Sequence, residues 1–272
     1  MILDGFAPDI VAEIRRRLES VRAQGIRIGF AIESGSRAWG FPSPDSDYDC
    51  RFVYVRPVDD HLGLNAVRDV IEFPIVGLVD TGGWDLRKAL LLALSGNAVI
   101  VEWLKSPLVY EEEAGFRPRL SALLDEIVEP PRVAKHYVGL LLKHAGEGGF
   151  ESIRLKKFLY ALRPAIALAW MSKRDFSALP PMNMLECLEG ATLPDAVHQE
   201  VLTLIDTKKR TRELGEGAPH PVLQAFVIET HARFSGAAAR MLKTEPDSGW
   251  RKEKADAFYR NEVLAGSLAG IG

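Results

Sequence analysis

Asp47 and Asp49 stand two residues apart at the head of the apolar run YDCRFVYV, and no other feature narrows so sharply what this chain can fold into. Side chains two apart on a strand leave from the same side, so the two carboxylates share one face while Tyr48 and Cys50 turn to the other. Left alone, such a pair would push one member toward protonation, whereas a divalent cation keeps both ionised. Oxygen ligands at this spacing suit Mg²⁺ or Mn²⁺ better than Zn²⁺. The neighbouring Asp45 lies in Pro44-Asp45-Ser46, a turn sequence, and stays outside the pair.

Upstream, the stretch GSRAWG begins at Gly35. Gly35 permits close backbone approach, and Ser36 with the first turn of a short helix offers N–H and hydroxyl donors of the kind that hold phosphate. Arg37 adds a positive charge beside them. A phosphate cradle followed some ten residues later by a metal-binding carboxylate pair is the equipment of nucleotidyl transfer, in which ions bridge a triphosphate and activate an attacking hydroxyl.

The rest of the chain reads as a frame for these residues. From Pro8 to about Gln24 apolar positions recur at helical steps; IRIGFAI reads as a short buried strand, YDCRFVYV as a second and FPIVGLVD as a weak third. A turn is expected at Gly82–Gly83, then a helix capped by Asp85 and another capped by Asn97. Strand signals fade beyond Pro107. Helical periodicity is expected near 116–128, 132–145, 152–173, 194–214, 219–242 and 250–265. The fold class is therefore α+β, with a small α/β domain at 1–110 followed by a helical domain at 111–272.

Composition limits the class of protein. Of 272 residues, 47% are hydrophobic and 26% charged, and no apolar stretch is long enough for a membrane span. The acidic N-terminus is unlike a signal peptide, and Cys50 and Cys187 match no metal spacing, so a reduced, cytoplasmic protein with no membrane partner is expected. A net charge of −3 argues against a surface built wholly for nucleic acid, and the basic run Thr207–Arg212 is the one local candidate for touching RNA.

On the Gly35-Ser36 turn and the Asp47-Tyr48-Asp49 triplet, the chain resembles the DNA polymerase β-type nucleotidyltransferase superfamily. The wider strings SGSRAWGFPSPDSDYDCRFVYVRP, GGWDLRKAL, VEWLKSPLVY and RLKKFLYALRPAIALAW are similar to a bacterial branch of predicted nucleotidyltransferases associated in name with RNA repair. The resemblance implies a polymerase β-like N-terminal domain with a small mixed sheet, walled by an all-helical domain. It also implies a two-metal site with a third carboxylate on the following strand. Asp80 is the matching position, ahead of Asp85, whose capping role is well motivated, and of Glu72. Catalytic and metal roles are thus expected for Asp47, Asp49 and Asp80 with two Mg²⁺ or Mn²⁺ ions.

Nucleotide contacts are expected from Gly35, Ser36 and Arg37, and from the helix-face stripe Lys156, Tyr160 and Arg163, whose cations would meet a triphosphate while the ring stacks on a base. Glu102 either orients a basic residue near the nucleotide or faces solvent. An NTP is the expected co-substrate and an RNA 3′ end the acceptor. A protein or small-molecule hydroxyl, or a nucleotide-binding module without turnover, is the alternative.

Overall fold

The computed structural model describes residues 5–145, 155–210, 218–235 and 249–268. Helix α1 (Pro8–Arg22) starts with proline at its first position, where the missing N–H costs nothing, and buries Ile14, Leu18 and Val21 on one stripe. Gly25, at φ +75°, turns the chain into strand β1 (Arg27–Glu33). The one-turn helix α2 (Gly35–Ala38), β2 (Tyr48–Val55), α3 (Val58–Leu62), β3 (Val70–Glu72) and β4 (Val79–Asp85) follow. Helices α4 (Leu86–Leu94) and α5 (Ala98–Lys105) lead to β5 (Val109–Glu112). Beyond it every described element is helical: α6 (Phe116–Ile127), α7 (Pro130–Ala145), α8 (Leu155–Ser172), α9 (Met184–Gly190), α10 (Asp195–Arg210), α11 (Pro221–Ser235) and α12 (Trp250–Leu268).

The five strands form one mixed sheet in the order β3-β4-β2-β1-β5. Only β2 and β4 run parallel, joined by a crossover that carries α3 and β3. Alternation divides the sheet cleanly. Tyr48, Cys50, Phe52 and Tyr54 face α1, where Arg17 is buried and donates to Thr81 Oγ1 at 3.2 Å on β4. Val53 and Val55 face the other way, into a core that continues through Leu86, Trp103, Phe158 and Ile166 into the helical half. Asp49 and Arg51 lie on this second face and are half-buried.

Several sequence expectations need correcting. Gly82–Gly83 is not a turn but the middle of β4. A Cβ on Gly83 would lie 2.3 Å from the Phe52 ring, so a glycine lets that ring close onto the neighbouring strand. The run FPIVGLVD is a strand only from Val79 onward. Pro74 and Gly77, the latter at φ +59°, turn Phe73–Leu78 between β3 and β4 and leave Ile75 and Val76 exposed. The expected division after residue 110 falls inside β5, an edge strand paired with β1. Helix α12 also returns to the sheet half, where Glu262 accepts from both Arg27 and Arg119 at 2.9 Å. No helix among the described residues is long and apolar enough to cross a membrane.

Candidate active site

The parallel register of β2 and β4 sets Asp49 directly opposite Asp80. Neighbouring strands lie about 4.8 Å apart, so these carboxylates leave the same face side by side. Asp85 pairs instead with Tyr54, is buried, and accepts from the Arg87 N–H at 2.8 Å as the cap of α4. The sheet thus brings Asp80 and not Asp85 beside Asp49. Asp47 is exposed one residue before β2 begins. Burial raises the Asp49 pKa; the Arg51 charge lowers it, and the charges of Asp80 and then Asp47 raise it further. The charges of Asp80 and Asp47 thus both reach Asp49.

Gly35 makes this arrangement possible. Its φ is +63°, and a Cβ there would sit 2.0 Å from Asp49 Oδ2. The Asp49 carboxylate lies directly against the Gly-Ser turn, and the Ser34 N–H donates to the Asp49 carbonyl at 2.8 Å. The side chains of Ser36 and Arg37 serve the loop that delivers Asp47. Ser36 Oγ donates to Ser46 Oγ at 3.0 Å, and Ser46 Oγ accepts from the Ser43 N–H at 2.8 Å. The Arg37 guanidinium donates to the carbonyls of Ser46 and Asp47 at 2.8 and 3.1 Å and lies 3.7 Å from the centre of the Tyr48 ring. What the turn leaves outside the helical ladder are the backbone N–H groups at the start of α2.

Two residues behind the carboxylates were not singled out from sequence. Glu33, the fully buried last residue of β1, accepts from the Asp49 N–H at 3.0 Å and from the Tyr110 hydroxyl. Burial pushes its carboxyl up to about 8. Arg51 follows Asp47 and Asp49 on the same face and donates through Nη2 to Asp80 Oδ2 at 2.6 Å, 3.5 Å from Asp49 Oδ1. Both carried a signal: an acid closing an apolar strand needs buried partners, and the period of two extends the acidic face to residue 51.

The helical half supplies a second wall. Burial raises the pKa of the Tyr160 hydroxyl, and the Asp49 and Asp47 charges raise it further, so this side chain lies within their field. Its ring meets Trp39 edge-on at 5.7 Å and stacks on His144 at 5.6 Å. Arg163, one turn along α8, is committed elsewhere. Its Nη1 donates to Glu102 Oε1 at 2.5 Å while the guanidinium covers the Trp39 ring at 4.3 Å. Glu102 is buried and also accepts from the Tyr137 hydroxyl at 2.8 Å, so of its two expected settings it takes the one that orients a basic residue. The side chain of Lys156 lies outside what is described. In the basic run, Lys208 is buried over the Phe41 ring and Arg210 pairs with Asp206 at 2.8 Å. Thr211 and Arg212 lie outside the described residues.

A divalent cation suits this donor set, since Asp49 and Asp80 present oxygens side by side and already turn toward one shared positive group. Among the described residues, no three carboxylate, imidazole or thiolate side chains converge into a finished cage.

Comparison with known proteins agrees with the motif-level resemblance. The family described as "RNA repair pathway DNA polymerase beta family" matches residues 10–261. The chain is 37% identical over 237 residues to an uncharacterized protein, YcgL, of Bacillus subtilis (strain 168), covering 87% of this chain and 89% of that one. It is also similar to the crystal structure of a nucleotidyltransferase-like protein from Exiguobacterium sibiricum 255-15. That likeness has 14% identity and a TM-score of 0.34, and covers 85% of this chain and 77% of the other.

Proposed function

Because the chain belongs to the RNA repair pathway DNA polymerase beta family, we propose that it is a metal-dependent nucleotidyltransferase that moves an NMP from an NTP to an acceptor hydroxyl and releases pyrophosphate. The observation that carries this reading is the in-register pairing of Asp49 with Asp80 beside a Gly35 that leaves no room for a side chain. Asp47, Asp49 and Asp80 would hold one or two Mg²⁺ or Mn²⁺ ions. Bound there, such ions neutralise triphosphate charge and acidify the attacking hydroxyl.

The residues themselves divide the remaining work. Backbone N–H groups at Gly35 and Ser36 bind phosphate oxygens, and Glu33 holds the Asp49 backbone from behind. Tyr160 and Trp39 form an aromatic wall for the base. The acceptor oxygen bonds to the α-phosphorus as the bond to the β-phosphate oxygen breaks, and the hydroxyl proton passes to the Asp80 carboxylate. The acceptor proposed is an RNA 3′ end, in keeping with the family description.

The test is incubation with α-labelled NTPs, Mg²⁺ or Mn²⁺, and RNA bearing a free 3′ hydroxyl, with an Asp49→Ala variant alongside. Label on RNA that disappears in the variant supports the reading. Label on the protein or on a small molecule replaces the acceptor, and no variant-sensitive label at all overturns catalysis.

A further inference from the structure

Arg51 is the residue on the carboxylate face that nucleotidyl transfer leaves without a task. Strand periodicity puts it on the side of Asp47 and Asp49, and the parallel register sets Gly82 opposite it, where no side chain intervenes on the way to Asp80. The guanidinium accordingly lies across to β4. Nη2 donates to Asp80 Oδ2 at 2.6 Å and stands 3.5 Å from Asp49 Oδ1, while Nη1 donates to the carbonyls of Cys50 at 3.0 Å and Asp80 at 3.3 Å. The neighbouring cation, Arg37, is held by loop carbonyls and the Tyr48 ring.

We infer that Arg51 is a resident counter-cation: it holds Asp49 and Asp80 together before a divalent ion arrives, and the ion must displace its guanidinium from those oxygens. The inference rests on the metal-dependent reading above. Two like charges on adjacent in-register strands repel, so a cation between them offsets a cost that the register of β2 and β4 imposes. A guanidinium is always charged and presents several donors in a fixed fork, so one group reaches an oxygen of each carboxylate and keeps the two aimed at a common point. The Arg51 and Asp80 side chains remain 23% and 31% exposed, so the pair is accessible and weak enough to yield to a doubly charged ion.

The experiment is calorimetric titration of Mn²⁺ into the nucleotide-free chain, wild type and Arg51→Gln. The variant should bind Mn²⁺ about fivefold more tightly, equivalent to ~1 kcal/mol, and Arg51→Lys, which keeps the charge but loses the fork, should fall between. In the wild type, the Arg51 Nε–Hε NMR signal, assigned by its loss in Arg51→Gln, should shift as Mg²⁺ saturates the site. Equal or weaker Mn²⁺ binding by a folded Arg51→Gln variant overturns the inference, as does an unmoved Arg51 signal at saturation. If that variant does not fold, Arg51→Lys binding Mn²⁺ no more tightly than the wild type overturns it. Wild-type protein that binds no Mn²⁺, or binding that survives Asp49→Ala with Asp80→Ala, overturns the metal site itself, an outcome distinct from failure of Arg51 alone.

Discussion

Two arginine–carboxylate pairs flank the candidate cleft, and their surroundings set them apart. On the sheet, Arg51 meets Asp80 and Asp49 at a rim that water still reaches. On the helical wall, Arg163 meets Glu102 with their side chains 11% and 4% exposed, Tyr137 donating to the same carboxylate oxygen and Trp39 covering the cation. Burial works against both guanidiniums, and in each case the carboxylate outweighs it, so both arginines are held above their ordinary pKa. The difference lies in what replaces a lost partner. Water or a metal ion can take a place at the rim, whereas a charge stranded on the wall has nothing to turn to. The same chemistry therefore makes an exchangeable contact in one place and a strut in the other.

The largest expected effect breaks the strut. Glu102→Ala leaves the Arg163 guanidinium and the Tyr137 hydroxyl without their acceptor and should cost about 3–5 kcal/mol in denaturant unfolding. Asp80→Ala should cost under ~1 kcal/mol in the same measurement, because Arg51 can return to solvent, yet should abolish nucleotide transfer. If Asp80→Ala destabilises as much as Glu102→Ala, the two pairs are not different in kind.

Next comes Glu33, which supports Asp49 from within the sheet. Glu33→Ala strands the Asp49 N–H and the Tyr110 hydroxyl and should cost about 1–3 kcal/mol, whereas Glu33→Gln keeps an acceptor for the N–H and should lose much less. Equal losses would mean that acceptor is not what Glu33 contributes. Gly35→Ala follows. It forces φ +63° on an alanine and drives a methyl into Asp49 Oδ2, for about 1–2 kcal/mol and a measurable fall in Mn²⁺ affinity. Unchanged Mn²⁺ binding would mean that Asp49 can move aside without loss.

How far this contrast could be read from the chain depends on sequence distance. The shared face of Asp49 and Arg51 follows from a period of two within one strand, and Asp47 stands just ahead of that strand's first residue. Asp80 is different, because its place opposite Asp49 is a matter of parallel register across a crossover, and a hairpin turn before β4 hides where the strand begins. A glycine pair inside β4 looks like a turn until the Phe52 ring is seen lying against it. Edge strand β5, four residues ending in two glutamates, is too short for its alternation to stand out. Nor can periodicity pair Glu102 with Arg163, since they lie on separate helices 61 residues apart. Local rules reach the chemistry-bearing face, and long-range packing decides which side chains become its supports.

The smallest effect tests where the wall stops being structural. Tyr160 touches both regions: its ring packs on Trp39 and His144, while its hydroxyl lies in the field of Asp49 and Asp47. Tyr160→Phe keeps the ring and should change stability by less than about 0.5 kcal/mol. If stacking on the base is the task of this residue, KM for the NTP should stay within about twofold and kcat should hold, whereas Tyr160→Ala, which removes the platform, should raise KM about tenfold or more. A kcat that falls in Tyr160→Phe with KM unchanged would mean that the hydroxyl acts on the reacting phosphate. The wall would then belong with the exchangeable, chemical side of the cleft, and the line between strut and site would have to be redrawn through α8, between Tyr160 and Arg163.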